Sequence, residues 1–184
     1  MNYFLRKKTT AELLDDNRLI VWDIEKAREI YNNGFYGKPL GDPRPKEDFV
    51  NPLLLDPVEA LYLVDNKKIN IVKDGKKISK NKLKKMLEEN FTDFNEKYQV
   101  YKDLRNKGYV VTPGIKYGCD FAVYENGPGI DHAPYVVQII DADEELSAAE
   151  IVKAGRLATT VRKAFILAVP AKKNKYIEFN WWKA

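Results

Sequence analysis

The sequence predicts an α+β, or mixed α/β, fold with two domains. A small N-terminal mixed α/β domain, residues 1–90, is expected to precede a C-terminal domain, residues 91–184, with a mixed β-sheet flanked by helices. Two observations predict this. Short runs of β-branched and aromatic residues alternate with segments of helical period, and each half of the chain contains a capping box that begins a helix.

The N-terminal half is predicted to contain two short strands before its first helix. Residues 3–7 and 18–23 are rich in aromatic and β-branched side chains. Asp23 is expected to cap a helix over 24–33, which Gly34 then ends in a left-handed conformation. Three further elements are predicted: a helix with its capping box at Asp56, Pro57 and Glu59, a hairpin at Asp74 and Gly75, and a basic helix over 80–89.

The C-terminal half is predicted to run as a helix, three strands, a second helix and two final strands. Apolar and aromatic residues from Phe94 onward recur at helical spacing, and Gly108 ends that helix. Ser147 begins the second helix, which is expected to reach about Arg162. The five strands are predicted at residues 109–112, 119–124, 135–141, 164–169 and 176–182.

Composition limits the classes of protein to consider. Apolar residues make up 45% of the 184 residues and charged residues 32%, so the chain can bury a core and remain soluble. No apolar run approaches the ~20 residues that span a bilayer, and the first residues lack the apolar stretch of a signal peptide. We therefore expect a cytoplasmic protein that does not contact a membrane.

The single cysteine and the single histidine also limit the chemistry. One cysteine excludes an internal disulfide, and the pair argues against the usual zinc ligand sets. No metal and no other cofactor are expected. The net charge of +4 is mild, so it permits a polyanionic partner without requiring one.

Candidate chemistry centres on His132, the only histidine, which follows the turn-forming run Gly127-Pro128-Gly129. A single histidine is more often a structural hydrogen-bonding residue than a catalyst. Its position favours the second interpretation, because a glycine-rich loop that enters a strand at a sheet edge can present a reactive group. Tyr124 ends the preceding strand and is expected at the same rim.

Two other chemistries compete with this interpretation. Cys119 and His132 have the residue types of a thiol pair, but no basic residue adjoins Cys119 in sequence, which favours a buried structural thiol. The acidic run DADEE at residues 141–145 has the residue types of a metal-dependent nuclease. It also precedes a helix start, where negative charge is stabilising in itself, so a solvated turn is favoured.

Three motifs cover nearly all of the second half in order: YKDLRNKGYVVTPGIKYGCDFAVY, GPGIDHAPYVV and GRLATTVRKAFILAV. Together, from about Tyr98 to Trp181, they resemble the catalytic domain of archaeal tRNA-splicing endonucleases (tRNA-intron endonucleases). The segments DPVEALYLV and FYGKPLG are more loosely similar to the N-terminal domain of that family. The resemblance implies a metal-independent endoribonuclease, a tRNA-intron lyase, that excises introns from precursor tRNA at bulge–helix–bulge motifs.

The resemblance also implies a catalytic triad. Carried over by motif, it consists of Tyr124 in DFAVY, His132 in DHAPY and Lys163 in TVRKAF. The family assignment makes Tyr124 the base for the ribose 2′-hydroxyl, His132 the acid for the leaving 5′-oxygen and Lys163 the stabiliser of phosphorane charge. The products would carry 2′,3′-cyclic phosphate and 5′-hydroxyl ends. Without the resemblance, Tyr124 would be interpreted as an ordinary strand residue and Lys163 as a solvated helix end.

RNA binding and assembly are likewise implied by the resemblance. Arg156 matches the arginine that clamps a flipped bulge base, and Trp181 lies where some members place an opposing aromatic ring. Self-sufficient homotetrameric members carry an acidic loop between their last two strands, whereas this chain has the basic segment 171–175 there. We therefore expect the heterotetrameric branch, with a second, non-identical structural subunit. A homotetramer, and a non-catalytic RNA-binding subunit, are the alternatives.

Overall fold

The computed structural model describes residues 8–42, 45–160 and 162–179. The chain divides into two compact units, Met1–Phe94 and Asn95–Ala184, each built around its own mixed β-sheet. The predicted α+β fold class is confirmed. The strand predicted over 3–7 and the predicted site residue Trp181 lie outside the described residues.

Over residues 8–42 and 45–94, the N-terminal unit combines a six-stranded sheet with three helices. Its elements are β1 (Thr9–Leu13), β2 (Leu19–Val21), α1 (Ile24–Asn32), β3 (Lys38–Pro39), β4 (Leu53–Leu55), α2 (Pro57–Asp65), β5 (Ile69–Lys73), β6 (Lys76–Ile78) and α3 (Lys80–Asn90). The strand order is β3-β4-β2-β1-β5-β6. Only the pair β1–β5 is parallel among the described strands of this sheet, and the other neighbours are antiparallel.

Side-chain caps begin the helices of this unit where the sequence predicts them. The Asp23 carboxylate accepts a hydrogen bond from the Lys26 amide at the start of α1. At α2 the Asp56 carboxylate accepts from the Val58 amide at 3.0 Å. These bonds satisfy amides that have no partner within the helix, so they determine the first turn of each helix.

Glu59 completes the capping box of α2 and also reaches beyond it. The side chain is only 1% exposed. Its Oε2 atom accepts from the Asp56 amide at 3.0 Å and from the Gly37 amide, in the loop after α1, at 2.9 Å. A single buried carboxylate therefore connects the start of α2 to a loop 22 residues away in sequence.

Two features of the N-terminal unit differ from the predictions. β1 was not predicted, because its sequence TTAEL is mostly polar; it forms a strand because β2 and β5 pair with it on both sides. Gly34 does not adopt the predicted left-handed conformation, since its φ is 156°. The left-handed residue after α1 is Phe35, with φ 56°.

In the described part of the C-terminal unit, one α-helix precedes a five-stranded sheet, and a second α-helix lies in the connection between two of its strands. Its elements are α4 (Phe94–Asn106), β7 (Val110–Pro113), a 3₁₀ turn (Ile115–Tyr117), β8 (Phe121–Tyr124), β9 (Tyr135–Ile139), α5 (Ala148–Thr160), β10 (Ala164–Val169) and β11 (Lys175–Phe179). The strand order is β11-β10-β9-β8-β7, with β9 and β10 parallel and the other neighbours antiparallel.

The two faces of this sheet pack against different helices. On one face the buried Tyr101 ring of α4 lies against Phe121, with ring centroids 5.8 Å apart. On the other face Val136, Phe165 and Leu167 form a buried cluster that Ala154 of α5 packs against. We call this second side the α5 face.

The end of α5 corrects one step of the sequence-based argument. The helix begins at the predicted Ser147 capping box but ends at Thr160. Arg162 has a φ of 54°, which a helix cannot continue through, and Lys163 is the extended residue before β10. Lys163 therefore is not on the helix that carries Arg156. The spacing of seven residues, about two helical turns, predicts that Arg156 and Lys163 share nearly one helical face, and this prediction is wrong.

Among the described residues, no helix is both long enough and apolar enough to cross a membrane.

The buried carboxylate of Glu59 leads to a stability prediction. Glu59→Ala leaves the Gly37 and Asp56 amides without their acceptor in a buried position, so the free energy of unfolding is expected to fall by about 2–3 kcal/mol. Urea denaturation of the full chain measures this. Glu88→Ala is the matched control, because the pair that Glu88 makes with Lys84 at 3.3 Å lies at the surface. It should change the free energy of unfolding by less than about 0.5 kcal/mol. Equal effects of the two substitutions would contradict the role given to Glu59.

Candidate active site

The candidate active site lies at one end of the strands of the C-terminal sheet, where β8 ends and where β9 and β10 begin. At this site, the edge of the sheet means this row of strand ends, not an outermost strand. Tyr135 of β9 pairs with Val123 of antiparallel β8 and with Ala164 of parallel β10. Tyr124 follows Val123 on β8, and Lys163 precedes Ala164 of β10, so each is one residue beyond this paired row. Both therefore emerge at the same edge of the sheet, although 39 positions separate them in sequence.

The strand pairing extends to this outer row. The Ala164 amide donates to the Pro134 carbonyl at 2.8 Å, so Pro134 occupies the row between Tyr124 and Lys163. Adjacent strands lie ~4.8 Å apart, which places the Cα atoms of Tyr124 and Lys163 about 10 Å from each other. Tyr124 and Lys163 therefore start from the same row of the sheet, with Pro134 between them.

Tyr124 and Lys163 also share a face of the sheet. Tyr124 follows Ala122 by two residues and Lys163 precedes Phe165 by two residues, while Ala122 and Phe165 both pair with Val136. Because side chains alternate between faces along a strand, both belong to the α5 face, where Val136 and Phe165 lie in the buried cluster.

His132 is held at this edge by a loop that Asp131 organises. The Asp131 carboxylate accepts hydrogen bonds from the Gly127 amide at 2.8 Å, the Asn126 amide at 3.0 Å and the Glu125 amide at 3.2 Å. Partial burial raises the pKa of the Asp131 carboxyl, but the hydrogen bonds from these amides lower it by more. The pKa of Asp131 therefore lies below its ordinary value. The loop after β8 is thus closed on itself, and the next residue, His132, is exposed to solvent.

Lys163 is directly connected to the segment that carries His132. Its ammonium donates to the carbonyl of Ala133, the residue after His132. It also lies over the Tyr117 ring, 4.9 Å from the centroid. Burial lowers the pKa of Lys163, and the nearby Lys116 ammonium lowers it further. The ammonium is therefore held in place but is easier to deprotonate than an ordinary lysine.

Tyr124 is half-buried, and its environment disfavours ionisation. Burial raises the pKa of the Tyr124 phenol, and the neighbouring Tyr117 and Asp131 raise it as well. A hydrogen bond with the Thr112 side chain acts in the opposite direction but does not cancel these effects. The phenol is protonated near neutral pH in the free chain.

Tyr117 belongs to the same site, and it is not among the residues that the sequence predicted there. Its ring lies below the Lys163 ammonium and packs on the cluster of Val136 and Phe165, and its phenol group raises the pKa of Tyr124 electrostatically. Asp131, which organises the His132 loop, is also absent from the predicted site residues. The available signals were local: Gly-Ile-Lys-Tyr-Gly marks a tight turn, and an aspartate after Gly-Pro-Gly is typical of a loop that closes on its own amides.

The structure describes one of the two predicted base-contacting residues, Arg156. Arg156 lies on α5 with an exposed side chain, and it is not within the row of Tyr124 and Lys163. Trp181 lies outside the described residues. Their roles stay predictions.

The thiol alternative is disfavoured by the environment of Cys119. The Sγ atom donates towards the carbonyls of Phe121 at 3.3 Å and Gly114 at 3.5 Å. Burial and the neighbouring Asp120 charge raise the pKa of the thiol to about 11. A thiol that stays protonated near neutral pH is a poor nucleophile, so Cys119 has the character of a structural residue.

The acidic run at residues 141–145 forms an exposed turn before α5. The Glu144 carboxylate accepts from the Asp141 amide at 3.2 Å, which is a local cap rather than a ligand arrangement. In the part of the chain that the structure describes, no three His, Cys, Asp or Glu side chains come close enough to hold a metal ion.

The basic segment 171–175 is anchored to α4 rather than left loose. Gln99 donates to the Ala171 carbonyl and to the Asn174 side chain, both at 2.6 Å. Tyr176, at the following position, donates to Asp103. Lys172 and Lys173 are exposed at the tip of this turn. Two ammonium groups are therefore presented on a defined surface.

Comparison with known families defines the class of protein. Residues 94–179 match the family described as "tRNA intron endonuclease, catalytic C-terminal domain". Residues 10–84 match the family described as "tRNA intron endonuclease, N-terminal domain". The two matches follow each other in the order of the two units of the structure.

Curated relatives agree over almost the whole chain. A tRNA-splicing endonuclease of Sulfolobus acidocaldarius is 46% identical over 178 residues, 94% of this chain and 98% of the relative. One of Hyperthermus butylicus is 44% identical over 171 residues, 90% of this chain and 94% of the relative. One of Saccharolobus solfataricus is 42% identical over 177 residues, 93% and 97% of the two chains. The chain therefore belongs to the tRNA intron endonuclease family and is an enzyme of that type, which confirms the resemblance seen in the sequence.

The contacts of Asp131 predict how its removal affects the His132 loop. Asp131→Ala removes the common acceptor of three amides, so hydrogen exchange at residues 125–127 is expected to accelerate about tenfold. Asp131→Asn should give a smaller effect, because its amide oxygen still accepts. Hydrogen-exchange mass spectrometry or NMR of the full chain measures this.

The matched control for that experiment is Asp143→Ala, in the exposed turn before α5. It should leave exchange at residues 125–127 unchanged. Unchanged exchange in Asp131→Ala as well would show that the loop does not depend on this carboxylate.

Proposed function

We propose that this chain is the catalytic subunit of a multimeric splicing endonuclease that excises introns from precursor tRNA at bulge–helix–bulge motifs, without a metal ion. The observation that carries the proposal is the convergence at one sheet edge. Tyr124 and Lys163 lie in one row on one face, and the Lys163 ammonium donates to the residue next to the exposed His132. This arrangement supports a site in which a phenol, an imidazole and an ammonium would act together on one phosphodiester.

The proposed reaction uses the nucleophile that RNA itself carries. The ribose 2′-oxygen attacks the adjacent phosphorus and forms the 2′-O–P bond, while the bond to the 5′-oxygen breaks. The products are a 2′,3′-cyclic phosphate and a 5′-hydroxyl. His132 gives its proton to the leaving 5′-oxygen, and Lys163 stabilises the negative charge that develops on the phosphorane oxygens.

The role of Tyr124 follows from its environment. Because its pKa is raised by burial, the phenol of the free chain is protonated and first acts as an orienting group for the 2′-hydroxyl. To accept the proton of that hydroxyl as a base, it needs a cationic field that lowers its pKa in the complex. We propose that the Lys163 ammonium, on the same face, supplies part of that field in the complex, and that the ionised phenolate then takes the 2′-proton.

RNA recognition is proposed to use the surface around this edge. Arg156 on α5 has an exposed guanidinium, which can stack on an unpaired base; such contacts contribute ~1–3 kcal/mol per base. The resemblance assigns the opposite side of the base to Trp181. A symmetric bulge–helix–bulge contains two cleavage sites, so the enzyme needs two such active sites.

The proposed assembly is a heterotetramer with a second, non-catalytic subunit. The support is the charge and the anchoring of the turn at 171–175, where Gln99 and Tyr176 hold exposed Lys172 and Lys173 in place. A cationic turn cannot occupy a cationic pocket on a neighbouring copy, because like charges repel. β11 is an edge strand with Ile177 49% exposed, which is suited to a subunit contact. A homotetramer is the alternative.

Substitution of the triad tests the proposed catalytic role. His132→Ala and Lys163→Ala are each expected to slow single-turnover cleavage of a bulge–helix–bulge precursor tRNA by about 10²–10³-fold, with RNA affinity within a few-fold of the parent. Lys102→Ala is the matched control, since Lys102 interacts with the Tyr98 ring on α4. It should cleave at the parent rate. Added EDTA should leave the parent rate unchanged.

Three outcomes would contradict the proposal. Full cleavage by His132→Ala in the assembled enzyme would favour the non-catalytic subunit interpretation. Loss of cleavage in EDTA would favour a metal-dependent nuclease. Products that lack a 2′,3′-cyclic phosphate by mass spectrometry would exclude attack by the 2′-hydroxyl.

The assembly proposal makes a separate prediction. Native mass spectrometry of the chain alone should show no tetramer, and the chain alone should not cleave precursor tRNA. Co-expression with a family subunit that has an acidic loop between its last two strands should give a heterotetramer that cleaves. The same partner with that loop neutralised is the control. Efficient cleavage by the chain alone, as a homotetramer, would contradict the prediction.

A further inference from the structure

We propose that Tyr117 is a positioning residue for Lys163, whose ring holds the ammonium at the sheet edge beside the His132 segment. The ammonium lies 4.9 Å from the ring centroid and donates to the Ala133 carbonyl. The inference rests on the proposed function, because it concerns how the proposed charge stabiliser is kept in place.

A lysine at this position needs contacts that keep its ammonium in one place. Its ammonium is a compact charge at the end of four flexible carbons, and it samples many rotamers unless it has specific contacts. A carbonyl oxygen fixes one direction of approach. The electron-rich face of an aromatic ring supplies a second attraction from another direction. Together, Ala133 and Tyr117 hold the ammonium from two segments that are 16 positions apart in sequence.

Tyr117 can serve as a fixed support because its turn is rigid. The Tyr117 amide donates to the Gly114 carbonyl at 2.7 Å, and the Gly114 amide donates to the Asp120 carbonyl at 2.8 Å. A Cβ at Gly114 would come within 2.5 Å of the Cys119 sulfur, so the turn is closely packed. Gly118 has a φ of 65°, a left-handed conformation that glycine adopts without strain.

The ring itself is fixed by the core. Tyr117 is half-buried and packs against the buried cluster of Val136, Phe165 and Leu167 on the α5 face. Phe165 lies two residues after Lys163 on β10. The ring and the lysine backbone are therefore attached to the same rigid sheet, so the contact between them does not depend on a mobile loop.

The charges around Lys163 make the ring contact important for its protonation state. The Lys116 ammonium, on the same turn, lies 5.7 Å from the centroid of the Tyr117 ring. Its positive charge disfavours the charged form of Lys163 and lowers the pKa of that ammonium. The Cys119 thiol also acts on Lys163, in the direction that raises the pKa of the ammonium. The ring face favours the charged form, so it opposes the effects of burial and of Lys116.

The test compares Tyr117→Leu, which removes the ring, with Tyr117→Phe, which keeps it. Tyr117→Leu is expected to lower the single-turnover rate of the assembled enzyme on a bulge–helix–bulge precursor tRNA by about three- to thirtyfold. Tyr117→Phe should stay within about twofold. Tyr98→Leu is the matched control, because it removes a ring under Lys102 on α4, and it should leave the rate unchanged.

Two readouts separate positioning from a general structural effect. In ¹⁵N-lysine NMR of the full chain, the pKa of Lys163 should fall further in Tyr117→Leu and stay at the parent value in Tyr117→Phe. In a Lys163→Ala background, Tyr117→Leu should cause no further loss of rate, because the group that it positions is already absent.

The outcomes distinguish this inference from the proposed function. A parent-like rate for Lys163→Ala would mean that the proposed role of Lys163 is wrong. A slow Lys163→Ala together with a parent-like Tyr117→Leu would overturn only the positioning role. The same would follow if Tyr117→Leu slowed cleavage equally with and without Lys163, or left the pKa of Lys163 unchanged in a variant that stays folded by circular dichroism.

Discussion

The hydrogen-bond register between β8, β9 and β10 is the constraint on which the candidate site depends. β9 is antiparallel to β8 and parallel to β10, so the end of one strand and the beginnings of two others meet at a single edge. A shift of one residue in either pairing would turn Tyr124 or Lys163 to the opposite face. The apolar cluster of Val136, Phe165 and Leu167 opposes such a shift, because these side chains would lose their buried positions.

The environment of this edge favours the neutral forms of Tyr124 and Lys163 more than water does. Burial raises the pKa of Tyr124 and lowers the pKa of Lys163, in both cases towards the uncharged side chain. The site therefore keeps its charges only where specific contacts stabilise them. The Tyr117 ring and the Ala133 carbonyl do this for Lys163, which connects the packing of the domain to the charge available for phosphate chemistry.

The remaining surfaces of the C-terminal unit are organised around this scaffold. α4 covers the face opposite the site and at the same time anchors the basic turn through Gln99 and Asp103. α5 covers the other face and presents Arg156 to solvent. One sheet thus supports the candidate site, the proposed RNA surface and the proposed surface for a partner subunit.

The sequence by itself determined the local elements and the family. Helix starts at Asp23, Asp56 and Ser147 follow from side chains that cap nearby amides, and such contacts span only a few residues. The motifs carried the resemblance and, with it, the candidate triad. Only the tertiary structure decided that Lys163 lies on an extended segment rather than on α5, that β1 is a strand, and that Tyr117 contacts Lys163. These facts depend on strand register and packing between segments far apart in sequence, and no local pattern encodes such contacts.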